Sequence, residues 1–569
     1  MLQHKQIQPK AQVFHGIGTE PPHKKAICQA KTNKPNSQAC GFNIYVLLSA
    51  FAASLSSLNF GWCLGEPNIP ESIIKDCVEG PEVFVRGFPT CLAMNSTIWG
   101  LVVGLVALGA LSGSLFAGHA ADRFGRKSVL LVNNVFFITG ALLLGTATTV
   151  AQLAVGRFIS GIGCGVSSTV VAMYNSECAP LKVRGFLGVV LQLSVEVGIF
   201  FSQIIATLLV DIPNWRILFG LSGVISLVQL ALLPFMPESP KFLINQGNTT
   251  AATKALQFLR PGHDVSEELQ AMVASSISSS HTIPNGTVAN SFVQEGEFVD
   301  ETEVSDKEKV IEISETTNAD LAPSNPASSI GIVDIIKGNT PDVIWHPLFC
   351  TMFLMGFQQW TGAKGIVFYS TEILIKVFRL NHSQIQHTPN RAQWVTIGLA
   401  GMGIVAVFAS MNLIDRLGRR QLLLISTGGL TLSCILVVIG STFNLSVLSV
   451  ISMFGFKLTY GLGMAPIPWL AASEMLPYYA LGTLNGIASA LNWSMIFTIG
   501  LLFPLLAKAL DNFLFLPFAV LNLAAFIVVL LFVPETKSRL ISDILFCHGK
   551  RVHRVFSLRK GHLSGTEAA

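Results

Sequence analysis

The feature that most constrains this chain is a series of long apolar runs, near residues 42–65, 98–120, 128–148, 150–173, 186–210 and 215–236, then 346–373, 393–414, 421–442, 446–470, 482–507 and 513–533. A membrane-crossing helix needs roughly 20 predominantly apolar residues, and each run approaches or exceeds that length. The order is six, a gap, and six. Because lipid offers no hydrogen-bond partner to an exposed backbone, runs of this length must be helical. The expected fold is therefore an all-α membrane protein with twelve transmembrane helices in two six-helix pseudo-symmetric bundles. With 51% hydrophobic and only 12% charged residues, a soluble enzyme is excluded. No nucleophile–base set or metal-ligand cluster occupies a plausible site, so neither an enzyme nor a cofactor is expected. The 37 basic and 33 acidic residues are too balanced and scattered for a nucleic-acid surface.

The runs divide the chain into an N-terminal tail (1–41), a first bundle (42–236), a central loop (237–345), a second bundle (346–533) and a C-terminal tail (534–569). The central loop begins with two short amphipathic helices, and its acidic, Ser-rich middle is expected to be disordered. Lys and Arg collect in both tails and in the loops after spans two, four and eight, which places these segments on the cytoplasmic side. The polar, basic N-terminal tail has no short apolar segment of the signal-peptide kind. Most of the ten cysteines lie in or beside apolar runs, as small buried side chains do. Cys77 and Cys91 share the polar loop after span one and form a disulfide if that loop faces an oxidising compartment. Asn381 and Asn444 begin sequons on the outer face and are candidate glycan sites.

The two halves repeat. D-R-F-G-R-K begins at Asp122 and D-R-L-G-R-R at Asp415, 293 positions apart, while P-E-S-P at Pro237 and P-E-T-K at Pro534 lie 297 apart. Glu177 and Glu474 lie 297 apart as well. Positive-inside loops account for the basic residues but not for the matched acids or the constant spacing.

These motifs, with G-R-F-I-S-G-I-G-C-G, Y-N-S-E-C-A-P-L-K-V-R-G, Q-Q-W-T-G-A-K-G-I-V-F-Y-S-T and P-I-P-W in the same order, resemble the sugar-porter family of the major facilitator superfamily from about Asn43 to Leu545. The resemblance implies a cytoplasmic ion-pair network of Asp122, Arg123, Arg126, Arg157, Glu177, Arg184 and Glu238 in the first half, with Asp415, Arg416, Arg420 and Glu474 in the second. Such a network gates the inner side and breaks as the halves rock. The family usually has a further Arg shortly after the Glu474 position. This chain reads P-Y-Y-A-L-G-T there, so the second-half network is expected to be incomplete.

The substrate site is expected near the midplane, where polar side chains are costly. Gln192, Glu196 and Gln203 share one stripe of span five. Gln358 and Gln359 precede Gly362 on span seven, and Tyr369 lies farther along it. By resemblance Gln192, Gln358 and Gln359 bond a hexose, Trp469 walls the site, and Asn492 and Trp493 neighbour it on span eleven. The competing reading for each is helix-to-helix fastening. Amides and aromatic faces suit a polyol ring in any case. The family's usual Asn after Q-Q is Lys364 here, its Asn in span eight is Gly403, and its Glu in span ten is Gly461. Lys364 thus adds a cation to the site, and Glu196 is its expected counter-ion across the halves; otherwise Lys364 snorkels and Glu196 is protonated.

Proton-driven members carry an acid in span one at the position of Cys63. Glu66, one turn on and on one face with Asn59 and Cys63, is an alternative titratable site alongside Glu196, unless it is solvated near the outer end. The expected function is alternating-access transport of a hexose or related polyol, with uniport ahead of proton symport. A sensor with this fold and little flux is the alternative. Its partners would be a small sugar or polyol, the lipid bilayer and, in the symport reading, protons, and it would act as a monomer. Part of the sequence, S-L-N-F-G-W-C-L-G-E-P-N-I-P, is similar to a fungal branch associated with vacuoles; the plasma membrane fits the topology equally well.

Overall fold

In a computed structural model of the chain, which describes residues 43–77, 84–85, 87–180, 183–209, 214–280, 345–380, 390–476 and 481–537, every expected apolar run is helical. Spans one to six are Ile44–Gly65, Ser96–Phe124, Arg126–Gly145, Val150–Cys178, Arg184–Leu208 and Trp215–Leu232. Span seven is two helices, Trp345–Trp360 and Ala363–Phe378. Spans eight and nine are Arg391–Leu417 and Arg419–Thr442; span ten is again split, into Ser446–Leu462 and Ile467–Met475. Spans eleven and twelve are Leu481–Leu510 and Leu516–Phe532. The N-terminal tail, the middle of the central loop, Asn381 and most of the C-terminal tail lie outside the described residues.

The tight turns between spans two and three and between spans eight and nine are matched. Gly125 (φ +94°) and Gly418 (φ +90°) adopt backbone conformations that a side chain disfavours. A Cβ at either would also meet a carboxylate, Glu238 Oε2 at 2.5 Å or Glu535 Oε2 at 2.6 Å. The glycine of the repeated motif therefore lets a distant glutamate cap the next helix. Glu238 accepts from the backbone N–H groups of Arg126 and Lys127 at 3.0 and 3.1 Å, and Glu535 from those of Arg419 and Arg420 at 2.9 and 3.1 Å. Four N–H groups are unpaired at any helix start, and the dipole there favours a negative charge. Glu535→Ala is expected to cost about 1–2 kcal/mol, the range of a lost cap, read as a lower thermal midpoint of purified protein.

The splits in spans seven and ten free backbone groups inside the bundle, and each is satisfied from a neighbouring helix, as lipid exclusion demands. Asn522 of span twelve donates to the Thr361 carbonyl at 3.1 Å. Ser426 of span nine accepts from the Met464 N–H at 3.1 Å.

As expected, short helices follow span six, at Pro240–Asn245 and Thr249–Leu259, and a third occupies Ser266–Ser280. The second buries Ala252, Ala255, Leu256 and Leu259. Arg260, just after it, donates to the Cys178 carbonyl at 3.2 Å and pairs with Glu268 at 3.1 Å, which holds the start of the central loop against the end of span four.

Cys77 and Cys91 form a disulfide. The loop it closes is also pinned by the Leu92 N–H donating to the Ile74 carbonyl at 2.9 Å. A loop of 14 positions closed by a disulfide is worth roughly 3 kcal/mol in chain entropy. Reduction, or Cys91→Ser, is expected to lower the thermal midpoint accordingly, and non-reducing peptide mapping checks the link itself. At the second sequon, the Asn444 side-chain oxygen accepts from Arg379.

Candidate functional site

Two clusters of charge, one per half, lie at the end of the bundle that carries the repeated motifs. In the first, Arg126 of span three pairs with Asp122 of span two at 3.0 Å and with Glu177 of span four at 3.0 Å. In the second, Arg419 pairs with Asp415 at 3.2 Å and Glu474 at 2.9 Å, and Thr536 donates to Glu474 at 2.7 Å. Arg126 and Arg419 are 293 positions apart, the offset of the repeat. The cation of the second cluster is therefore Arg419, and not Arg416 or Arg420. Arg420 gives its guanidinium to the Leu530 carbonyl, and the Arg416 carbonyl accepts from Lys537 Nζ at 2.9 Å. Arg123 lies over the Phe124 ring at 5.5 Å. Arg184 begins span five; its side chain is outside the described residues. Thr536 completes the contacts of Glu474 in the second cluster as Ser239 does those of Glu177 in the first; the segment after Glu474, where the further Arg is missing, lies partly outside the described residues. Each of these ion pairs lies within one half. The halves meet here through small residues: a Cβ at Gly185 of span five would come within 3.0 Å of Asp415 Oδ1.

Arg157 departs from its expected place. It stands 20 positions before Glu177 on span four, about 30 Å along the helix, and so belongs to the opposite end of the bundle. There it pairs with Glu66 at 2.7 Å and donates to the Cys63 carbonyl at 2.7 Å. Arg157 is 1% exposed and Glu66 fully buried, so Glu66 is not solvated. Asn59 does not share this contact; it donates to Ser222 and Ser226 of span six at 2.9 and 2.8 Å. Across the same end, Asn68 donates to Ser370 Oγ at 2.8 Å and accepts from the Thr371 N–H at 3.3 Å, which joins the two halves.

Between these ends the stripe on span five meets the second half. Glu196 is 2% exposed and lies 2.8 Å from Lys457 Nζ of span ten. The expected partner, Lys364, is not the one taken. The pair is a contact of opposite charges and not a directed hydrogen bond, as Glu196 Oε2 has no hydrogen-bond partner. Gln192 Nε2 stands 3.4 Å from Glu196 Oε1. Gly403 explains why Lys457 wins. A Cβ at 403 would come within 2.4 Å of Glu196 Oε2 and 2.6 Å of Lys457 Cε, so the bridge occupies space that any side chain in span eight would fill. Gly403→Ala is expected to push the pair apart and Gly403→Asn to abolish it, each lowering the thermal midpoint of purified protein. Gly461 serves packing, since a Cβ there would meet Ala406 Cβ at 2.5 Å. Beside the bridge is a small cavity lined in part by Asn68, Gln203, Ser370, Thr396 and Lys457.

The amides of span seven are engaged with the protein. Gln358 donates to the carbonyls of Met464 and Ala465 at 2.7 and 2.9 Å, in the break of span ten. Its oxygen accepts from Gln359 and Asn492 at 3.1 and 2.8 Å. Gln359 also donates to Asn492 Oδ1 at 3.0 Å, but its own Oε1 is buried without a partner. Gln203 donates to the Gly65 carbonyl at 2.9 Å, and its Oε1 is likewise unpartnered. Gln358 thus fastens a broken helix, while Gln359 and Gln203 each keep an acceptor free. Trp493 donates to Ser168 Oγ at 3.3 Å across the halves and packs on Phe60 at 5.0 Å. Trp469 is half-buried beside Met355, Ala472 and Ala488. Tyr369 donates to the Gly500 carbonyl at 2.9 Å and stacks on Phe503.

Lys457, Arg419, Glu535 and Asn68 were missed in the sequence. The first is legible there as the lone charge in the run M-F-G-F-K-L-T-Y, and the repeat offset points to the next two. Asn68 carries no such signal.

A pseudo-symmetric pair of six-helix bundles with matched charge clusters at one end and a buried polar seam between them is the architecture of a major facilitator. The chain belongs to the sugar (and other) transporter family, whose model matches residues 48–299 and 289–544. It is 29% identical over 531 residues to human solute carrier family 2, facilitated glucose transporter member 5, covering 90% of this chain and 94% of that one. It is 30% identical to human member 4, covering 88% and 90%. The fold matches the proton:xylose symporter XylE bound to 6-bromo-6-deoxy-D-glucose with a TM-score of 0.68 at 18% identity, over 88% of this chain and 98% of that one. A partially occluded inward-open form of XylE from E. coli matches with a TM-score of 0.64. The chain is an integral, multi-pass membrane protein of the sugar-porter type.

Proposed function

We propose that the protein carries a sugar or related polyol across a membrane by alternating access, with the seam between the bundles as its binding site. The observation that carries this reading is the Glu196–Lys457 bridge beside a small cavity, because it joins the halves at mid-chain of spans five and ten and must part or shift as they rock. Gln192, Gln203 and Gln359 supply hydroxyl partners, with Trp469, Trp493 and Asn492 forming the surrounding wall; Gln358 joins them only by releasing the span-ten carbonyls. The Arg126 and Arg419 clusters brace each half at the gating end, with Asp122, Glu177 and Glu238 or Asp415, Glu474 and Glu535 as their acids.

Facilitative uniport is favoured over proton symport. Two curated relatives are named facilitated transporters, span one has Cys63 at the proton-site position, and Glu66 is already spoken for by Arg157. Both termini and the central loop are assigned to the cytoplasm from the basic loops, in either the plasma or the vacuolar membrane, and the protein acts as a monomer. Proteoliposome uptake of glucose, fructose, galactose, xylose and myo-inositol, with and without a pH gradient, tests the reading. Filling of the lumen that survives a protonophore is expected. Binding without filling would favour the sensor, and collapse under the protonophore would favour symport.

A further inference from the structure

We propose that the seam recognises its substrate through hydroxyl protons: its amides present oxygen and hold back nitrogen, so the carried polyol must keep free hydroxyls at these contacts; this rests on the transport reading above. An amide oxygen only accepts and an amide nitrogen only donates, so a backbone carbonyl, itself an acceptor, fixes which way round a neighbouring amide lies. Gln358 Nε2 commits its N–H groups to the carbonyls of Met464 and Ala465, at 2.7 and 2.9 Å. Its oxygen therefore accepts, from Asn492 Nδ2 at 2.8 Å and Gln359 Nε2 at 3.1 Å. Asn492 Nδ2 gives its second N–H to the Met355 carbonyl at 2.6 Å, and Gln359 Nε2 gives its second to Asn492 Oδ1 at 3.0 Å. Every N–H of the three amides is then committed. What is left over is Gln359 Oε1, buried and without a partner.

Gln203 repeats the pattern from the other half. It stands 7 positions beyond Glu196 on span five, about 10 Å along the helix, toward the end opposite the charge clusters. Its Nε2 donates to the Gly65 carbonyl at 2.9 Å, so a reversed amide would set two acceptors against each other, and its Oε1 is again buried and unpartnered. Gln203 lines the small cavity, where Asn68 Nδ2 is engaged by Ser370 at 2.8 Å and Lys457 by Glu196 at 2.8 Å. A buried acceptor left empty is costly, and a cavity beside it with room for a hydroxyl-sized donor relieves that cost. Gln203 and Gln359, on helices of opposite halves, thus show a ligand the same polarity. A hydroxyl meets it by donating its proton. Fluorine or a methyl ether oxygen, which only accept, meet it with repulsion.

The test uses full-length protein in proteoliposomes. Uptake of labelled D-glucose, D-fructose, D-galactose, D-xylose and myo-inositol is measured, and each one carried is competed by its monodeoxy, monodeoxyfluoro and mono-O-methyl analogues, one ring position at a time. At the contacted positions the fluoro analogue should compete no better than the deoxy one and roughly tenfold worse than the parent, the size of one hydrogen bond to a buried group. Gln203→Met should abolish that penalty at one position, by weakening the parent to the level of its fluoro analogue, and leave it elsewhere. Gln203→Glu, whose protonated form donates to the Gly65 carbonyl and keeps an oxygen free, should retain it. Fluorine tolerated at every position of the wild type overturns the proposal and leaves a trapped water as the partner of Gln203; a penalty pattern unchanged in Gln203→Met overturns it as well. The wild-type comparison stands even where a variant fails to fold. Uptake with fluorine tolerated throughout sinks this inference and leaves the transport reading intact; absence of uptake for all five compounds sinks both.

Discussion

Glu196→Gln is expected to be the most damaging single change in the seam between the bundles. It leaves Lys457, 5% exposed, and Lys364, 7% exposed, as two buried cations with no carboxylate between them. Removing one partner of a buried ion pair costs about 3–5 kcal/mol, because the charge left behind has lost both water and counter-ion. Lys457→Gln should cost less. Glu196 would then still have Lys364 within electrostatic range and could re-pair with it. The asymmetry separates this geometry from a pairing of Glu196 with Lys364, under which Lys364→Gln, and not Lys457→Gln, would cost the more. Thermal unfolding of purified protein, with uptake at matched expression, reads both variants. The exchange Glu196→Lys with Lys457→Glu restores the charge pattern and should recover part of the loss; a double variant no better than the worse single would show that the two residues do not couple.

The second large effect lies within the first bundle. Arg157→Met strands Glu66 with no exposure to water, and Glu66→Gln strands Arg157, whose Nε and Nη2 already lack partners. Each single change is expected to cost about 3–5 kcal/mol, while a double change to apolar residues of similar volume should be nearer neutral, as for other buried pairs. The measurement is again the thermal midpoint, with a double-mutant cycle. A free proton-carrying Glu66 would behave otherwise: Glu66→Gln would leave stability unchanged and remove any response of uptake to a pH gradient.

How far the sequence could be read differs from element to element. Spans one to six were legible because an apolar run bounded by charge has one fate in lipid. Asn133 and Asn134 of span three, Gln229 of span six and Asn522 of span twelve are buried within such runs without disturbing them, because each bonds within the bundle. The splits in spans seven and ten were less visible, since hydropathy stays high through both and the break shows only in backbone bonding. Motif spacing located Asp122, Glu177, Asp415 and Glu474 correctly at one end. It misplaced Arg157, because a motif records order along a helix and not which end its side chain serves. It also preferred Arg420 to Arg419, although the repeat offset itself selects Arg419.

The seam was the hardest part. In the sequence, Glu66, Glu196 and Lys364 are the charges that belong to neither the gate nor the central loop, and Glu196 and Lys364 are the pair of opposite sign that spans the two halves. Lys457 lies on a different helix, and its reach to Glu196 depends on the missing side chain at Gly403, a relation among three helices that no local pattern encodes. By itself, then, the sequence determined that this protein crosses a membrane twelve times in two repeated halves, because the cost of unpaired backbone and charge in lipid is set residue by residue. Only the tertiary structure decided which buried charges are partners and which one is left over, because pairing energy depends on distance across helices, and that distance is fixed by how closely glycine lets them approach.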